Sequence, residues 1–160
     1  MANFPQLNEE DFQQFTRLMT ELLAKSEASC ALLVEKAGHL IHQCGDSNSF
    51  VPDVMATLAS NSFNAVQFMA GLLGETNFPG LYQQGEHFST LMMNVDEHCI
   101  VVIIFRADLS VGAIKYFAIE TARGLADQIK LAEGRAPGVG FDLTDLDVTS
   151  AAELFKKKVE

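Results

Sequence analysis

The sequence predicts an α/β fold of the mixed (α+β) type, in which helices cover an antiparallel sheet in the order α-β-β-α-β-β-α. Three long segments repeat apolar residues at helical spacing, which is typical of amphipathic helices. Between them lie two pairs of short apolar segments joined by tight turns, as in β-hairpins. In addition, residues 54–74 contain no charge, although 20% of the chain is charged. A helix of this length without charge is expected to be covered on more than one side.

The first helix and the first hairpin have clear local signals. Asn8 is a favourable N-cap, and the acidic residues after it interact well with the positive end of a helix. Residues 29–35 have the composition of a strand. Gly38 then allows a tight turn into a second strand at residues 39–44.

The uncharged segment is predicted to form a central helix, with Pro52 in its first turn and Gly74 at its end. On a helical wheel, one apolar stripe is predicted to face the protein's own core. The opposite face is neither polar enough for water nor apolar enough for lipid, so we expect it to contact protein, most simply a second copy at a two-fold axis. The predicted core stripe is Met55, Leu58, Ala59, Ser62, Val66, Met69 and Leu73, and the second face is Val54, Thr57, Asn61, Asn64, Ala65, Phe68 and Leu72.

Two alternatives exist for this central helix. About 20 apolar residues suffice to span a bilayer. However, Asn, Gln, Thr and Ser residues interrupt the segment and no cluster of Lys or Arg flanks it, so membrane insertion is not expected. The second alternative is a helix buried within one subunit, because 160 residues can build a sizeable core.

The second half of the domain is predicted to repeat the hairpin-then-helix order. Residues 75–85 contain Pro and Gly and are expected to form a loop with one short strand. Residues 88–95 and 99–105 follow as a second hairpin, whose last strand is continuously apolar, as in strands that are covered on both faces. Asp108 or Ser110 then caps a third helix.

The chain is predicted to consist of one domain at residues 1–134, a linker at 135–149 and an amphipathic tail helix at 150–160. Ser150 and Glu153 have the spacing of a capping box. Because a helix of about ten residues is marginal alone in water, we expect the tail to dock onto the protein's own body or onto a partner.

Composition and charge exclude several function classes. The net charge of −10 makes nucleic acid a poor partner, because phosphates must be neutralised by Lys and Arg. No phosphate-binding loop with the Gly-Lys-Ser/Thr pattern is present, so the chain is not expected to hydrolyse nucleotides itself. The first residues do not resemble a signal peptide, and the three cysteines are odd in number. We therefore expect a cytoplasmic protein with reduced thiols.

No catalytic, cofactor or metal site is predicted from sequence motifs. His39 and His42 would lie on opposite faces of a strand, and His42 with Cys44 would supply fewer ligands than zinc needs. Adjacent His98 and Cys99 at a hairpin tip are a poor arrangement for a base and a nucleophile. We therefore expect a protein that is not an enzyme.

Several segments, taken in order, resemble the Roadblock/LC7 superfamily and within it the bacterial MglB-like proteins. The resemblance covers about residues 9–133, and the tail ending in E-L-F is similar to the C-terminal extension of the family. The segments are A-L-L-V-E-K-A-G-H-L-I (31–41), L-L-G-E-T-N-F (72–78), Q-G-E (84–86), V-V-I-I-F (101–105) and S-V-G (110–112).

The resemblance implies a Roadblock/LC7 αββαββα sandwich that forms a homodimer, with the central helix at the two-fold interface beside a continuous sheet. It implies binding to a small Ras-like GTPase of the MglA type, whose GTP hydrolysis is stimulated. MglB-like proteins act by arranging the switch residues of the GTPase, without an arginine finger, in cell polarity or gliding motility. Recruitment to a cell pole is part of this expectation. The alternative is a non-catalytic Roadblock scaffold or adaptor for a GTPase, motor or membrane-tethering complex.

Transferred to this chain, the resemblance places the GTPase or dimer contact on Asn61, Asn64, Ala65, Phe68 and Leu72. The family favours small residues where this chain has Asn64 and Phe68. The phenyl ring is thus expected to anchor a partner, to obstruct the usual docking or to lie in the dimer contact. The tail residues Leu143, Leu146, Leu154 and Phe155 are expected to make a second contact with the GTPase. The alternative is a tail that folds back onto its own dimer or is disordered.

Overall fold

The computed structural model describes residues 3–135 and confirms the mixed α/β class. Apart from Arg135, the predicted linker and tail helix lie outside the described residues, including Leu143, Leu146, Leu154 and Phe155. In chain order the elements are α1 (Glu9–Ser26), β1 (Cys30–Glu35), β2 (Leu40–Gly45), α2 (Pro52–Leu72), β3 (Gly80–Gln83), β4 (Phe88–Asn94), β5 (Cys99–Arg106) and α3 (Val111–Glu133).

The five strands form one antiparallel sheet in the order β2-β1-β5-β4-β3. Both predicted hairpins are present, and the pairing of β1 with β5 joins them at the centre of the sheet. The short strand predicted in the loop after the central helix is β3, which pairs with β4 at the edge. Residues 99–105 of β5 are buried, as their continuously apolar sequence predicts for a central strand covered on both faces.

Helices cover both faces of this sheet. On one face, α1 and α3 enclose the larger apolar core, which includes Phe15, Phe105 and Leu125. On the other face, α2 lies over a second core built around Phe63 and Ile100. The molecule therefore has three layers, and α2 alone forms one of the outer layers.

The start of α1 is fixed at Asn8, the N-cap that the sequence predicts. Asn8 forms a capping box with Asp11, in which each side chain accepts a hydrogen bond from the other residue's backbone N–H.

The turn of the first hairpin is formed at Gly38, which has a φ of 107°, a left-handed conformation that glycine adopts without strain. The Gly38 carbonyl accepts a hydrogen bond from Thr57 of α2, so this turn also positions the central helix.

The predicted core stripe of α2 is wrong by about a quarter of a turn, since each residue advances the helix by about 100°. Leu58, Met69 and Leu73 were expected inside but are exposed by 58%, 56% and 71%. The buried residues of α2 are Ala56, Ala59, Ser60, Phe63 and Ala70. The small residues let the helix approach the sheet closely while the ring of Phe63 fills the space between them.

Candidate partner-binding surface on the central helix

The side of α2 that faces away from the sheet is an uncharged, largely apolar surface in which Asn61 is the one polar residue. We define the α2 outer face as Val54, Leu58, Asn61, Ala65, Phe68, Met69 and Leu72, which share about 100° of the helix circumference. Phe68 is exposed by 80% and Leu72 by 88%, and no charged residue lies on this face. Contiguous apolar surface of this kind marks an interaction site in soluble proteins.

The structure places four of the five sequence-predicted contact residues, Asn61, Ala65, Phe68 and Leu72, on the α2 outer face. Asn64 lies at its margin and is half-buried, because its side-chain amide donates a hydrogen bond of 3.0 Å to the Lys36 carbonyl. Asn64 therefore holds α2 against the turn between β1 and β2.

Gln67 lies on the same side of α2 as Asn64, next to the margin of the α2 outer face that Phe68 borders. Its amide nitrogen donates to the Phe78 carbonyl at 2.8 Å, and its side-chain oxygen accepts from the Phe78 N–H at 3.0 Å. This paired contact fixes the loop after α2 against the helix. Together with Asn64 and Phe68, Gln67 lines a shallow depression beside the exposed phenyl ring. The contacts of Asn64 and Gln67 thus hold α2 in place along the margin that Phe68 borders.

Leu58 and Met69 lie exposed on the α2 outer face, although the sequence does not predict them there. The helical wheel places both on the predicted core stripe. The signal that could have excluded them is the spacing of the small residues Ala56, Ala59, Ser60 and Ala70, which share one side of the helix with Phe63 and allow close packing there.

The arginines of the domain do not reach the α2 outer face. Arg17 pairs with Glu21 on α1, Arg106 pairs with Asp108, and Arg135 binds the buried Asp11. Arg123 lies on α3, on the face of the sheet opposite α2. The segment Pro52–Leu72 contains no arginine. The α2 outer face therefore offers no guanidinium group of its own.

The thiols are poor nucleophiles. Burial raises the pKa of Cys30 to about 11 and raises the pKa of Cys99 further, with nearby acidic groups adding to the effect. The pKa of Cys44 is also raised by burial. Because the thiolate is the reactive form, these cysteines are suited to packing rather than to covalent chemistry.

Within residues 3–135, no helix is both long enough and apolar enough to cross a membrane.

The three-layer arrangement, with one helix exposing an apolar face beside a five-stranded sheet, is the Roadblock/LC7 fold. A Roadblock/LC7 domain from Streptomyces avermitilis matches with a TM-score of 0.65 at 14% identity, over 71% of this chain and 96% of that one.

Within this fold, the chain resembles MglB. Myxococcus xanthus MglB matches with a TM-score of 0.76 at 23% identity, over 82% of this chain and 99% of that chain. The structure described as "MglB with tetrameric arrangement" matches with a TM-score of 0.74 at 25% identity, over the same shares. No protein-family model and no curated protein sequence matches this chain.

Proposed function

We propose that this protein is a homodimeric regulator of a small Ras-like GTPase of the MglA type, and that it stimulates GTP hydrolysis by that GTPase. The observation that supports this most directly is the α2 outer face, which is apolar, uncharged and exposed in the single chain. The similarity in structure to MglB is the second support.

In the proposed dimer, the α2 outer faces of two copies meet at a two-fold axis and the paired helices form a platform for one GTPase. An isologous contact needs a self-complementary patch, and an uncharged face has no like charges to oppose each other. Phe68 and Leu72 are the proposed anchors, because large exposed side chains that become buried supply most of the binding free energy at an interface.

The proposed stimulation does not require an arginine finger. Activation by such a finger needs a guanidinium delivered to the γ-phosphate, and α2 has none to deliver. Contact with the platform would instead hold the GTPase's own switch residues in the productive arrangement, so that the rate rises through positioning. This protein would then contribute no catalytic group of its own.

A scaffold without any effect on hydrolysis is the second candidate. The observation that favours it is the exposed ring of Phe68, at a position where the resemblance implies a small residue. A projecting phenyl group would hold a GTPase at a different angle from the one that arranges its switch residues.

Single-turnover phosphate release from the MglA-like GTPase of the same organism, with and without this protein, tests the proposal. An increase of about tenfold or more, equivalent to about 1.4 kcal/mol of activation free energy, supports a GTPase activator. Binding without any increase supports the scaffold, and the absence of binding contradicts both. The proposed second contact of Leu143, Leu146, Leu154 and Phe155, and the proposed location in the cytoplasm at a cell pole, depend on the first outcome.

A further inference from the structure

One histidine and two glutamate side chains, all potential metal ligands, lie close together where the turn between β4 and β5 contacts the end of α3. Glu97 and His98 come from the turn, and Glu133 is the last residue of α3. The His98 Nε2 atom lies 3.5 Å from Glu97 Oε1 and 3.3 Å from Glu133 Oε1. All three potential ligand atoms lie within 4.8 Å of one another.

The two separations from the His98 nitrogen suit a tetrahedral zinc site. Zinc binds imidazole nitrogen and carboxylate oxygen at about 2.0–2.2 Å, so two ligand atoms on one ion are about 3.3–3.6 Å apart. Both distances from the His98 nitrogen match this spacing. Three protein ligands leave the fourth position for water, and imidazole with carboxylates is a ligand set that zinc accepts.

The imidazole is held in place before any ion binds. The Asp96 side chain accepts hydrogen bonds of 2.8 Å from the backbone N–H groups of His98 and Cys99, which fixes the turn. The His98 carbonyl accepts a hydrogen bond of 2.7 Å from the Lys36 N–H. The ring itself packs edge-on against Phe4, with centroids 6.0 Å apart. A ligand that is already positioned loses little conformational entropy on binding.

The Lys36 ammonium is directed to a backbone group beside the cluster. The Lys36 ammonium donates to the Asp96 carbonyl at 2.7 Å, and this bond directs it to the backbone rather than to a carboxylate of the cluster. Glu97 and Glu133 are both accessible to solvent, with side chains exposed by 76% and 39%, so an ion has a route to them.

We propose that Glu97, His98 and Glu133 bind one Zn²⁺ ion. The ion would tie the turn between β4 and β5 to the C-terminal end of α3, two elements that adjoin only in the folded protein. It would therefore stabilise the native state, because the unfolded chain does not bring these ligands together. This site is separate from the α2 outer face and does not depend on the proposed function.

Isothermal titration of the tag-free full chain with zinc chloride tests this proposal. We expect one ion per chain, and His98→Asn and Glu133→Gln should each weaken binding by about tenfold or more. Saturating zinc should raise the thermal midpoint of the wild-type chain by about 3 °C or more.

The chain contains a matched control in Glu86-His87, the same dipeptide at another, exposed position. In the described part of the chain, this pair is not part of any three-ligand cluster. His87→Asn should therefore leave zinc binding unchanged. The proposal is wrong if zinc shows no saturable binding, if His98→Asn and Glu133→Gln both bind as tightly as wild type, or if His87→Asn weakens binding as much as they do. Glu133 is half-exposed, so its variant keeps the test valid if His98→Asn does not fold.

Discussion

Asp11 and Phe68 show how differently single residues act in this molecule. Asp11 is fully buried and connects the start of α1 with the end of α3, because its carboxylate accepts hydrogen bonds from the Asn8 N–H, Gln128 and Arg135. Phe68 is exposed by 80% and contributes nothing comparable within the chain. The first residue therefore supports the fold, and the second is free to take part in the proposed interface.

Replacement of Asp11 by Asn should lower the free energy of unfolding by about 1–3 kcal/mol at neutral pH, because it removes charge-assisted hydrogen bonds. Burial raises the pKa of Asp11, but the hydrogen bonds from Asn8, Gln128 and Arg135 and the charge of Arg135 outweigh this effect and lower it. A pKa that is lower in the folded state contributes stability above the unfolded value, and that contribution is lost as the pH falls below about 4. Urea unfolding from pH 7 to pH 3 should thus show a smaller loss of stability for the variant than for wild type. Equal losses would contradict this role.

Replacement of Phe68 by Arg should abolish dimerisation or GTPase binding, because it places a charge in a surface that must lose its water. Light scattering and a GTPase pull-down measure the two effects. Tyr116→Arg is the matched control, since Tyr116 is an aromatic residue of α3 exposed by 74% in the opposite layer. If Phe68→Arg and Tyr116→Arg both behave as wild type, the α2 outer face is not an interface.

At the scale of elements, α1 and α3 cross closely and α2 stands alone. A Cβ atom at Gly124 of α3 would lie 2.8 Å from a Leu18 methyl group on α1, so the absence of a side chain allows the two helices to approach. Nothing in the described chain covers α2 in the same way, and its outer face keeps its large apolar residues in solvent. The layer of α1 and α3 is thus formed by two helices packed against each other, whereas α2 has no neighbouring helix in the described chain.

Replacement of Gly124 by Val should lower the free energy of unfolding by about 1–3 kcal/mol, because the added carbons meet Leu18 in a packed contact. In a Leu18→Ala background the same change should have a smaller effect, since the obstructing methyl groups are gone. Chemical unfolding of the four variants of this cycle measures the coupling between the two positions. Additive effects would show that the strain arises elsewhere.

For the whole molecule, the single chain leaves a surface that a second copy can cover. We expect a mass of about twice 17.5 kDa by light scattering at micromolar concentration, because apolar residues of α2 are excluded from water in the dimer. A larger species, such as a tetramer, would require an interface in addition to the α2 outer face. A monomer at this concentration would contradict the proposed dimer.

The sequence alone determined the class of fold and the position of nearly every element. The capping box of Asn8, the Gly38 turn and the apolar run of β5 are local signals, and local hydrogen bonding and periodicity do not depend on the rest of the chain. The absence of charged residues from 54–74 likewise indicated that the side of the central helix facing away from the core is not an ordinary solvent-exposed face.

Only the tertiary structure decided which side of α2 faces the sheet. Both sides contain apolar residues, so hydrophobicity alone does not predict which side is buried. The side with Phe63 and its small neighbours is buried because it packs closely against the sheet. The proximity of Glu133 to Glu97 and His98 could not be predicted from the sequence either, because folding brings together side chains that are distant in sequence. Close packing and long-range contacts depend on shape, and shape is a property of the folded chain.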